Sequence, residues 1–73
     1  MTDYDFAQRA VLGAILEVHP RLIDVAQLEA KLSGVPRVPE ALRVLVGDGL
    51  ATQLGDRVGA TRAAVRFDAL HAN

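Results

Sequence analysis

Cysteine is absent from this chain of 73 residues, which excludes disulfides, thiolate nucleophiles and cysteine metal sites together. Histidine occurs only as His19 and His71, two isolated positions that do not make a metal site. The one serine, Ser33, stands beside a glycine with no histidine near it in sequence. Paired carboxylates and a phosphate-binding glycine loop are missing, and Gly47, Gly49 and Gly55 match the demands of turns without a phosphate. We therefore expect neither catalysis nor a cofactor. No segment approaches the ~20 apolar residues of a membrane span, and Asp3 and Asp5 stand where a secretory signal would be basic. These features lead us to expect a cytoplasmic protein without a membrane partner.

What is present is apolar: 51% of the residues are hydrophobic, which argues against disorder. A chain this short buries only about 60% of its unfolded surface. Small cores often lean on disulfides, metals or oligomerisation. With the first two excluded by composition, a compact monomer or a homodimer remains.

The spacing predicts a first helix from about Asp5 to Val18, capped by Asp3 or Asp5 and stopped by Pro20. Its core stripe is expected to be Phe6, Ala10, Val11, Ala14, Ile15 and Val18. Leu12 and Leu16 lie one turn apart off that stripe, so they meet the C-terminal segment or form a homodimer seam. Leu22 and Ile23 read as a brief extended piece. Asp24 then opens a second helix, with Gln27 as its capping-box partner and Ile23 and Leu28 as a hydrophobic staple. Val25, Leu28 and Leu32 face the core, and Gly34 is expected as a left-handed cap. His19, ahead of Pro20, is expected to face solvent.

A third helix is expected to follow an extended Val38, with Pro39 at its first position and Glu40 in its first turn. Ala41, Leu42, Leu45 and Val46 turn inward, and Gly47 and Gly49 end it near Asp48. A hairpin from Ala51 to Thr61 comes next. A three-residue turn at Gly55-Asp56-Arg57 sets Leu54 opposite Val58, whereas a two-residue turn at Gly55-Asp56 sets Gln53 there; hydrophobic matching favours the first. Thr61 caps a last helix, Arg62 to about His71, with Ala63, Ala64, Phe67 and Leu70 inward. Arg62 and Arg66, one turn apart, are expected to pair with Asp68 or a neighbouring carboxylate.

The pattern Val38-x-x-Ala41-Leu42-x-x-Leu45-x-x-x-Gly49-Leu50, followed by Thr61-Arg62-Ala63, resembles the winged helix-turn-helix superfamily, notably its small bacterial regulators. The resemblance spans essentially the whole chain. It implies a single domain over residues 1–73, mainly α with a small β-hairpin (α+β), in the order helix-strand-helix-helix-hairpin-helix. In DNA-binding members the third helix enters the major groove and the wing tip meets the backbone or minor groove. Carried onto this chain, the resemblance implies double-stranded DNA as partner and transcriptional regulation as role. Arg37, Arg43 and Val44 from the helix, with Gln53 and Arg57 from the wing, are then the contact residues. Arg43 suits a bidentate contact to guanine, while Arg37 and Arg57 suit phosphates. The superfamily also contains protein-interaction modules, so a protein partner bound through the same face or through Leu12 and Leu16 is the alternative. Charge departs from the DNA-binding pattern: the net charge is -1 and the pI ≈ 6.0, where a pI above ~9 is more usual. The charge is unevenly spread, with five basic and three acidic groups in residues 37–66 against three basic and five acidic in residues 1–36. Glu40 lies on the face that would meet phosphates.

Overall fold

The computed structural model describes residues 3–71. Among them the elements run α1 (Asp3–Val18), β1 (Ile23–Asp24), α2 (Val25–Lys31), α3 (Val38–Gly47), β2 (Ala51–Leu54), β3 (Arg57–Ala60) and α4 (Arg62–His71). The result is a mixed α+β fold: four helices and a three-stranded antiparallel sheet in the order β1-β3-β2.

Helix α1 buries Ala7, Val11, Ala14 and Ile15, a stripe at helical spacing that packs against α3 and β3. Phe6, expected in that stripe, is 49% exposed. It lies one residue, about 100°, off the line, and the small Ala7 takes the inward place instead. Ala10 and Val18 are half-buried at the flanks. Asp5 is inside α1 and so does not cap it, while the Asp3 side chain lies outside the described residues.

Helix α2 starts at Asp24 as expected, but the Asp24 side chain makes no capping bond. Its carboxylate faces Arg57 at 3.5 Å, because β1 pairs with β3 and sets Asp24 directly opposite Arg57. The backbone N–H of Val25 donates instead to the Asp56 carbonyl at 2.7 Å, so the hairpin turn satisfies the helix start. Leu28 is fully buried, with Val25 and Leu32 packed on the core. The helix closes on Leu32, whose N–H donates to the Leu28 carbonyl at 3.0 Å; the positive-φ glycines are Gly49 and Gly55, so Gly34 is not the left-handed cap expected.

Helix α3 begins one residue earlier than the proline rule predicts. Val38 is helical and Arg37, in the left-handed region at φ 64, is the cap. A residue before proline resists the α region, but Val38 is only 5% exposed, and burying its side chain offsets that resistance. Ala41, Leu42 and Leu45 point inward, whereas Val46 is 36% exposed, contrary to expectation, because it sits at the rim of the stripe. The helix ends as anticipated. Gly49 at φ 79 donates to the Val46 carbonyl and Leu50 to the Leu45 carbonyl, the paired bonds of a Schellman cap.

The hairpin uses the two-residue turn, not the three-residue one preferred from hydrophobic matching. Gln53 is paired with Val58 and Leu54 with Arg57. Gly55 supplies the positive φ at the first turn position, as a type II′ turn requires. Cross-strand matching failed as a guide because β3 is the central strand: Val58 is covered by Ile23 of β1 and by α1, so it needs no apolar partner on β2. Leu54 is left exposed near the turn. On the other face Gly59 is buried under Leu22, and a Cβ there would lie 2.5 Å from Leu22 Cδ2.

Thr61 caps α4 as expected. Its hydroxyl accepts from the Ala64 N–H at 3.2 Å and donates to the Gly49 carbonyl at 2.6 Å, tying the last helix to the end of α3. Only the start of α4 is buried, through Ala64. Ala63 is exposed, Phe67 is 46% exposed and Leu70 is 72% exposed, which corrects the expected inward set. No ion pair joins Arg62 or Arg66 to Asp68 among the described residues.

Candidate nucleic-acid interface

The outer side of α3 and the edge strand β2 enclose an open cleft of about 230 Å³ with α2. Val25, Val38 and Leu42 form its floor, and Arg43, Glu29 and Gln53 its polar walls. Arg43 follows Leu42 on the helix, so the burial of Leu42 turns the guanidinium to the solvent edge of the cleft. It enters no ion pair among the described residues. Gln53 is held toward the hairpin turn, where its side-chain amide donates to the Gly55 carbonyl at 3.2 Å.

The structure brings together only part of the expected contact set. Arg43 and Gln53 share one cleft. Arg37 stands at the entrance to α3 and faces Glu40 at 4.0 Å. Arg57 is near the hairpin turn but leans toward Asp24. Both ion pairs are exposed, and such pairs contribute roughly 0–1 kcal/mol, so phosphates can compete for these guanidinium groups. Val44 is half-buried, one position around the helix from Arg43.

Sequence reasoning missed Glu29. It marks the outward side of α2, but nothing local indicates that α3 and β2 close a cleft beside it. Nearby, Asp24, Glu29 and Asp56 line a second hollow of about 480 Å³ over the start of α2. Carboxylates from both halves of the chain, Asp24 and Glu29 from the first and Asp56 from the second, thus meet on this side of the molecule.

Leu12 and Leu16, the expected dimer seam, are both half-buried. Leu12 lines a third hollow of about 400 Å³ together with Leu45, Leu50 and Phe67 of the C-terminal helix. Among the described residues no cluster of His, Asp or Glu could hold a metal ion, and no helix is long and apolar enough to cross a membrane. Comparison with protein-family models, with curated proteins and with solved structures yields no match.

Proposed function

We propose that this chain is a winged helix-turn-helix domain that binds double-stranded DNA, with α3 in the major groove and the β2–β3 hairpin as the wing. The observation that carries the reading is the cleft joining Arg43 of α3 to Gln53 of the hairpin on one exposed face. The element order and the β1-β3-β2 sheet are compatible with that architecture. Arg37 at the entrance to α3 and Arg57 beside the hairpin turn would meet phosphates while Arg43 meets base edges. A regulatory role in transcription is the corresponding biological reading.

Fluorescence anisotropy on a random-sequence duplex tests this directly. The two arginine–phosphate contacts, Arg37 and Arg57, imply a slope of about −1.8 in log affinity against log salt, or roughly 12-fold weaker binding on raising salt fourfold. Arg57→Ala should weaken binding and reduce the slope by about 1, whereas Arg43→Ala should weaken binding and relax sequence preference. Unchanged binding in both variants would refute the proposal.

A second reading, a winged-helix module that binds protein, draws support from the exposed Leu54, Phe67 and Leu70 and from the net negative charge. It predicts no salt-dependent duplex binding. A homodimer through Leu12 and Leu16 is compatible with either reading and is tested by mass in solution.

A further inference from the structure

Glu29 is the charge in the cleft to which DNA binding assigns no role. It lines the same walls as Arg43, and both side chains are exposed, yet no ion pair joins them among the described residues. Comparable surface charges on this molecule do pair, Lys31 with Glu17 at 3.3 Å and Arg57 with Asp24 at 3.5 Å. Glu29 and Arg43 thus face one small cleft as an available acceptor and an available donor. Gln53 completes the wall, with its amide engaged at the hairpin turn.

A guanidinium offers several donors in a fixed plane, and an ionised carboxylate accepts only. Their complement is a ligand edge that presents acceptors beside a donor. In the major groove, a G·C pair has that edge: guanine O6 and N7 accept, and the cytosine N4 amino group donates.

We propose that Arg43 and Glu29 act together as a reader of one G·C pair, Arg43 donating to guanine and Glu29 accepting from the cytosine amino group. The inference rests on the DNA-binding reading above. It also gives the acidic side chain a physical purpose. A carboxylate near phosphates weakens binding to every duplex, and the loss is recovered only where a base amino group such as cytosine N4 meets it. Glu29 then raises specificity at the expense of affinity. An A·T pair reverses the pattern at the key positions: adenine N6 donates where guanine O6 accepts, and thymine O4 accepts where cytosine N4 donates. On such a pair Arg43 meets a donor and Glu29 faces an acceptor.

The test is selection of bound sequences from a randomised duplex pool by the wild type and by Glu29→Ala. Anisotropy then measures affinity for the selected site and for the same site with its G·C pair changed to A·T. The wild type should prefer G·C by about tenfold or more. Glu29→Ala should reduce that preference severalfold at this pair and leave the others unchanged. If Glu29→Ala strengthens every duplex by one common factor and keeps the preference, Glu29 only repels phosphate and the inference is overturned. A selected site without a G·C pair overturns it too, while DNA binding itself stands. Failure of the wild type to bind any duplex at low salt removes the DNA-binding reading and this inference with it.

Discussion

Replacing Thr61 with alanine should loosen α4 by a predictable amount. The hydroxyl makes two bonds, accepting from the Ala64 N–H at 3.2 Å and donating to the Gly49 carbonyl at 2.6 Å. Loss of a helix N-cap costs about 1 kcal/mol. Loss of the second bond costs about 1 kcal/mol more, held to that size because Gly49 is exposed and water can replace the missing donor. The backbone bond from the Thr61 N–H to the Leu50 carbonyl survives the change, so the effect isolates the hydroxyl. The sum is about 2 kcal/mol, and for a domain of this length each kcal/mol moves the thermal midpoint by roughly 4–8 °C. A fall of about 10 °C, followed by circular dichroism and checked by urea titration, is the expected outcome. Thr61→Ser keeps both bonds and should stay within about 0.5 kcal/mol of the wild type. A loss below ~0.5 kcal/mol for the alanine variant, or equal losses for both variants, would refute the two-bond account.

Gly59→Ala should destabilise by about 1–3 kcal/mol in urea titration, since the new Cβ meets Leu22 Cδ2 at 2.5 Å with the Arg21 carbonyl 3.4 Å behind it; a stabilised variant would show that Leu22 moves freely. Arg37 occupies the left-handed region at φ 64, so Arg37→Gly should be more stable than Arg37→Ala by about 1 kcal/mol, and equal melting of the two would contradict that backbone geometry. Arg57→Ala should lower stability by less than about 0.5 kcal/mol, because its ion pair with Asp24 is exposed on both sides. A larger loss on melting would show that the pair holds β1 to β3.

Local chemistry announced several features correctly. Leu28 at the centre of α2, the Gly49 end of α3, the start of the hairpin at Ala51 and the Thr61 cap each depend on residues within about one turn of one another. The errors share another character. Phe6, Val46, Ala63, Phe67 and Leu70 are apolar at helical spacing, yet the core is too small to cover them. Apolar identity permits burial; a neighbouring element has to supply it. Asp24 has the composition of a self-contained cap, but strand pairing offers it Arg57, and the Asp56 carbonyl takes over the helix start.

The candidate site divides in the same way. Arg43 as an outward, chargeable position on a short helix could be read from periodicity, because Leu42 and Leu45 beside it must face inward. Its neighbours could not. Gln53 comes to the same cleft through the register of the hairpin, and that register was decided by β3 lying at the centre of the sheet rather than by matching Leu54 with Val58. Glu29 arrives from α2, fourteen residues away in sequence from Arg43. The sequence by itself determined the helices, the Gly49 and Thr61 ends among them, and the hairpin's place, because capping, glycine conformation and 3.6-residue periodicity act over one or two turns. Only the tertiary structure decided which charges share a surface, because that depends on how α2, α3 and β2 dock, a matter of long-range packing that no short segment encodes.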